Sequence, residues 1–155
     1  MASSVLSIWK RCAALPLGRR LFSRIVCFKA PYFGSIHPLV SDLTPERCQV
    51  LLRKRRSVQN HIGTVHAIAM CNMAELAAGL LTDAAIPASH RWIPKGMTVE
   101  YLAKAETSLR ATASFGEQLV FAQARELPVL VEVHDRSDTV VFRARIAMWI
   151  SPKKA

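Results

Sequence analysis

Between Val65 and Leu81 the chain reads V-H-A-I-A-M-C-N-M-A-E-L-A-A-G-L-L, with 13 of 17 residues apolar. The exceptions are His66, Asn72, Glu75 and Gly79. Projected at about 100° per residue, the apolar positions cover every side of a helix. Such a helix must be wrapped by other structure instead of lying on a surface. Gly63-Thr64 predicts its start, with Thr64 as cap, and Thr82-Asp83 followed by Pro87 predicts its end. The segment falls short of the ~20 uninterrupted apolar residues of a bilayer span, and His66 and Glu75 argue against lipid. It carries a carboxylate, Glu75, into a stretch built for burial. The plain structural reading of such a residue is a partner for an arginine. The plain reading of Asn72 is a hydrogen bond across a helix interface, and His61 caps or packs.

After Pro94 the period changes to two. Met97, Val99, Tyr101 and Ala103 alternate with more polar residues, as do Leu109, Ala111, Ala113 and Phe115. Val120–Ala124 and Val129–Val133 follow, bounded by Gly116 and Pro128, and Asp135–Asp138 reads as a turn. Val140, Phe142, Ala144, Ile146, Met148 and Ile150 then form one apolar face opposite Arg143 and Arg145. Alternation this strict argues strand. Trp92 with Pro94 and Gly96 predicts a loop. Upstream, Pro31, Gly34, Pro38 and Pro45 punctuate the chain, and Arg47 to Arg56 reads as a strand running into the basic run Arg53–Arg56. That run is either a solvated strand end or a phosphate contact. The expected architecture is α+β: a strand or two, one buried helix, then four or so antiparallel strands curling around it. The length of 155 residues suits one domain.

Charge divides the chain unevenly. Of 21 Lys and Arg, 11 lie in residues 1–60, together with only 2 of the 11 Asp and Glu. Residues 1–30 have no acid and interleave Lys10, Arg11, Arg19, Arg20, Arg24 and Lys29 with apolar residues. Three readings compete for this segment: a mitochondrial-type presequence, an amphipathic helix on an anionic membrane, and a terminal helix docked on the domain of residues 31–155. Pro16 and Gly18 interrupt any single long helix. A basic excess suits an anionic partner, but the segment lacks the interleaved surface aromatics of a single-strand binder, so nucleic acid is disfavoured. Cys12, Cys27, Cys48 and Cys71 form no C-x-x-C and no zinc pattern with the histidines, which reads as reduced thiols and no metal site. The chain has no G-x-S-x-G, no phosphate-binding P-loop, no G-x-G-x-x-G and no H-E-x-x-H.

The stretch N-H-I-G-T-V-H-A, followed by an apolar helix bearing an acid, resembles the hotdog-fold acyl-CoA thioesterases. The likeness is to the phenylacetyl-CoA-thioesterase-like branch and an uncharacterised bacterial group beside it. Residues 97–105, M-T-V-E-Y-L-A-K-A, resemble the strand that follows the family's helix, and the resemblance covers roughly residues 31–150. It implies hydrolysis of acyl-CoA to free acid and coenzyme A, with Asn60 on the thioester carbonyl and His66 opening the helix. It implies the Ala67 backbone N–H as oxyanion donor and Glu75 as the acid that activates water or attacks directly. Gly63 and Ala67 would bind substrate. Arg53 and Arg55 are expected on the phosphates of coenzyme A, which enters as substrate and not as a cofactor. The family's H-G-G is H-A-I here, and its water-holding hydroxyl has only Ser89 and Thr98 as candidates. An acyl-thioester dehydratase or hydratase and a non-catalytic acyl-CoA or lipid binder are the alternatives; the F-P-G-H-type loop of the former is missing. Expected partners are a second copy, as homodimer or dimer of dimers, and an anionic membrane surface through residues 1–30. The cytoplasm is the expected compartment, with mitochondrion or peripheral membrane as alternatives.

Helix geometry adds an independent constraint. Nine positions separate His66 from Glu75, so the two point to opposite sides roughly 13 Å apart along the axis. One helix cannot bring both to one reacting group, whereas two antiparallel copies about a two-fold can.

Overall fold

The computed structural model describes residues 4–117, 119–121 and 123–153. Two helices open the chain, α1 (Ser4–Ala13) and α2 (Gly18–Lys29), followed by a 3₁₀ turn at Pro31–Ile36. Strands β1 (Leu39–Leu43) and β2 (Arg47–Leu52) lead through a second 3₁₀ turn, Arg56–Val58, into α3 (Ala67–Ala85). Then come β3 (His90–Tyr101), β4 (Leu109–Phe115), β5 (Arg125–His134) and β6 (Val140–Pro152). All six strands join one antiparallel sheet in the order β1-β2-β4-β5-β6-β3. The long helix packs against it, an α+β hotdog arrangement.

Alternation decides which strand face meets α3. Leu109, Ala111 and Ala113 of β4, Val129, Val131 and Val133 of β5, and Phe142, Ala144, Ile146, Met148 and Ile150 of β6 are buried, while Arg110, Arg143 and Arg145 face outward. Met73, Ala74, Ala77, Ala78 and Leu81 of α3 are fully enclosed. The far side of α3 is covered by α1 and the first 3₁₀ turn, which explains a helix apolar all round. Leu6, Trp9, Cys12 and Phe22 belong to the same core, and Trp9 meets Phe22 edge-on at 5.0 Å between ring centres. Such a pair contributes about 0.5–1.5 kcal/mol beyond its buried area. Gly18 permits the α1–α2 hairpin to close: a Cβ there would lie 1.6 Å from the Cys12 carbonyl oxygen. Asn72 donates from Nδ2 to the Tyr32 carbonyl and to Ser35 Oγ, tying the 3₁₀ turn to α3.

Several boundaries differ from expectation for physical reasons. The cap of α3 is His66, not Thr64: Thr64 is consumed by Asn60, whose Oδ1 accepts from the Thr64 N–H and whose Nδ2 donates to Thr64 Oγ1. Thr82 stays inside the helix, its hydroxyl turned back on the Ala78 carbonyl. Residues 92–96 are strand, not loop, with a bulge between Pro94 and Gly96. The same strand stops at Tyr101, and Leu102 and Ala103 turn their N–H groups to the Val141 carbonyl. Pro128 lies within β5 instead of bounding it; β4 has ended at Phe115 opposite Val129, so the missing donor has no ladder to break on that side. No strand forms at Leu119–Phe121, and Ala122 of the expected Val120–Ala124 run lies outside the described residues.

The sheet has two unequal edges. Beside β1, α2 covers the edge: Ser23 Oγ accepts from the Val40 N–H at 2.9 Å and donates to the Arg19 carbonyl at 2.8 Å. At the other edge β3 (12 residues) pairs with β6 alone among the described residues, which leaves its outer side open.

Candidate active site

The loop before α3 is built around Asn60. Its Oδ1 accepts from the N–H groups of Ile62 and Thr64, and Gly63 takes φ 80°, the left-handed region that favours glycine. The Asn60 N–H donates to the Thr64 carbonyl, the His66 N–H to the Val58 carbonyl and the Val65 N–H to the Ala105 carbonyl. These bonds bring Asn60, Gly63, His66 and Ala67 together at the amino end of α3.

His66 caps that end through its ring: Nδ1 accepts from the Ile68 N–H at 3.0 Å. A neutral ring in that role carries its proton on Nε2, which is turned away from the helix as a donor. The Ala67 N–H has no acceptor among the described residues. It therefore stands as a free donor at the positive end of a 19-residue helix. Ile68, the bulky residue after Ala67, is 55% exposed, so its side chain turns to solvent.

Glu75 lies elsewhere, in the middle of α3. It is half-buried, and no hydrogen bond or ion pair holds it among the described residues. The arginine partner that a buried helix carboxylate ordinarily finds is therefore missing. Glu75 borders two hollows. One is a chamber of about 230 Å³, almost wholly apolar, between α3, α2 and Trp92, lined by Val26, Phe33, Leu76 and Leu80. The other, about 260 Å³, opens at the β3 bulge among Pro94, Lys95, Gly96 and Met97. The carboxylate thus sits where an apolar hollow meets the exposed sheet edge.

Three further residues shape the chamber. Glu75, Gly79 and Asp83 follow one line along α3 at i, i+4 and i+8. Trp92 fills the space left by Gly79, where a Cβ would come within 3.0 Å of the ring, and its Nε1 donates to Asp83 Oδ1 at 2.7 Å. The i, i+4, i+8 spacing of Glu75, Gly79 and Asp83 on a mostly apolar helix was the readable signal for this stripe.

Other expected site residues are dispersed. Arg53 lines a separate open groove of about 750 Å³ with His37, Arg110 and Arg136. Arg55 is held locally, Nε to Ser57 Oγ at 2.7 Å. Ser89 faces His90 Nδ1 at 3.1 Å, and Thr98 is exposed on β3 opposite Arg145. Cys71 Sγ and Tyr101 Oη lie 3.6 Å apart, and this contact with burial raises the tyrosine pKa. All four cysteines are free thiols. Among the described residues no three His, Cys, Asp or Glu side chains are grouped as a metal requires, and no helix is long and apolar enough to cross a membrane.

A crystal structure of the structural-genomics protein APC5556 shares 47% identity over 96% of this chain and 98% of its own, with a TM-score of 0.82. The Pseudomonas aeruginosa protein PA5026, described as a probable thioesterase, shares 18% identity over 90% of this chain and 97% of its own, TM-score 0.76. A thioesterase family protein from Silicibacter pomeroyi shares 12% over 89% and 100%, TM-score 0.72. At these identities the last two establish the fold alone: a thioesterase-like hotdog. No curated protein matches the chain. The family model described as Domain of unknown function (DUF4442) matches residues 18–150, and the chain belongs to that family.

Proposed function

We propose that the protein hydrolyses acyl-CoA thioesters at sites shared between two subunits. The observation that carries this reading is the unpaired, half-buried carboxylate of Glu75 set between an apolar chamber and an opening at the sheet edge. The chamber is below the ~300–1,000 Å³ of typical ligand clefts, so it suits an acyl group and not a whole thioester.

His66 caps α3 and Glu75 lies in the middle of that helix, so their separation of roughly 13 Å along the axis holds within a subunit. A two-fold pairing through the open edge of β3 sets the amino end of one α3 against the middle of the other. In that arrangement Glu75 takes a proton from water, and the hydroxide attacks the thioester carbonyl carbon. The oxyanion that forms is met by the free Ala67 N–H of the other subunit, with Asn60 and His66 Nε2–H beside it. Collapse breaks the C–S bond, the thiolate takes the proton that Glu75 holds, which regenerates the carboxylate, and acid and coenzyme A leave. Attack by Glu75 itself, through an anhydride that water then opens, uses the same groups. Either route draws on water, a carboxylate and backbone dipoles, with no cofactor. Exposed Arg53 supplies a charge for the phosphates of coenzyme A.

Release of free thiol from a panel of saturated acyl-CoAs tests the reading. Wild-type protein should turn over, and Glu75→Gln should lose about 10²–10⁴ in kcat, the range for removing a general base. Since Glu75 holds no ion pair, its substitution should leave Tm within a few degrees. Absence of thiol release from wild type, or undiminished release by Glu75→Gln, would exclude it.

A further inference from the structure

The α1–α2 hairpin turns to solvent a face that the carboxylate site does not use. The first acidic residue of the chain is Asp42. Before it stand Lys10, Arg11, Arg19, Arg20, Arg24 and Lys29, none in an ion pair among the described residues. Large apolar side chains stand among them: Leu15 is 57% exposed, Leu17 71%, Leu21 47% and Phe28 89%. The turn between the helices, Leu15-Pro16-Leu17, is exposed at every residue. At about 100° per residue, Leu21 and Phe28 fall on one line along α2, with Leu17 at its head. Arg20 and Arg24 form a second line along its flank. Behind the arginines lies a hollow of about 320 Å³, lined by Arg20, Arg24, Cys27, Gly34, His37 and Pro38.

We propose that this face docks on an anionic phospholipid surface. Leu15, Leu17, Leu21 and Phe28 enter the boundary between headgroups and acyl chains, and Arg20 and Arg24, with His37, take lipid phosphates in the adjoining hollow. Charge complementarity selects the occupant: a ridge of leucines and one phenylalanine beside unpaired guanidinium groups matches an interfacial helix. A nucleic-acid-binding surface would offer successive aromatics for base stacking, whereas among the described residues of α1, α2 and their turn Phe28 is the one exposed aromatic. The geometry couples the two sides of α2, since Val26 and Lys29 on it line the apolar chamber at Glu75. A docked hairpin holds that chamber close to the bilayer. The proposal does not depend on the chemistry assigned to Glu75.

Flotation of the full chain with vesicles of phosphatidylcholine alone, or with added phosphatidylglycerol, tests it. Binding should appear on the anionic vesicles, at least about tenfold above the neutral ones, and should fall as salt rises. Arg20→Gln and Arg24→Gln should each weaken it about fivefold. Leu21→Ser with Phe28→Ser should weaken it about tenfold or more. All four positions are exposed, so unchanged circular dichroism and Tm keep a lost interaction distinct from a lost fold. Four results would overturn the proposal: equal or no binding to the two vesicle types, variants that bind like wild type, capture by single-stranded RNA but not by vesicles, or a Leu21→Ser, Phe28→Ser protein that changes only its oligomeric state.

Discussion

The N–H of Ala67 and the carboxylate of Glu75 are both left without a partner by the chain that carries them, among the described residues. Every neighbour of Ala67 is engaged: Ile68 N–H on His66 Nδ1, His66 N–H on the Val58 carbonyl, Thr64 on Asn60. A proline at residue 67 isolates the free donor. His66 has φ −63° and ψ 139°, the extended geometry that a following proline requires. The first helical position accepts proline without loss of a helical bond. Ala67→Pro should therefore keep its Tm within a few degrees and lose about 10²–10³ in kcat, the measured scale for one oxyanion donor. Full activity would remove Ala67 from the mechanism. The family resemblance singled out Asn60, Gly63, His66 and Ala67, which the fold brings to one corner, whereas local signals placed the cap on Thr64. Side-chain exchange between Asn60 and Thr64 is a tertiary choice that local preference does not encode.

At the scale of elements, periodicity revealed more than punctuation did. The apolar face from Val140 to Ile150 and the alternation in Leu109–Phe115 are strands as read, because a half-buried sheet needs every second residue. Proline and glycine misled at residues 92–96 and at Pro128, because an open edge and a strand end absorb a missing donor. The line of Glu75, Gly79 and Asp83 went unread, since its meaning depends on Trp92, which arrives from another strand. Helix α2 does two jobs, roofing the chamber and closing the β1 edge through Ser23. Ser23→Ala would strand the buried N–H of Val40 without an acceptor. It should cost about 1–3 kcal/mol in denaturant unfolding. For a chain this long that corresponds to about 2–4 °C of Tm per kcal/mol. No change in midpoint would show that the edge is satisfied in another way.

In the whole molecule the two edges of the sheet differ. One edge is sealed by a helix, whereas the other offers 12 residues of strand with Ile93 at 59% and Tyr101 at 52% exposure. An open, partly apolar edge invites a second strand. Length and charge distribution indicated one domain with a basic beginning; what the beginning covers required three dimensions, because only there do Leu6, Trp9 and Phe22 meet the core. In the proposed mechanism one subunit contributes Asn60, His66 and the Ala67 amide while the other contributes Glu75. Two inactive, folded parents, Asn60→Ala and Glu75→Ala, can be unfolded together, refolded as mixed dimers and assayed for thiol release. Mixing should restore one working site per heterodimer, so that an equal mixture regains about a quarter of wild-type activity under random pairing. A mixture as inactive as its parents, with heterodimers present, would contradict it.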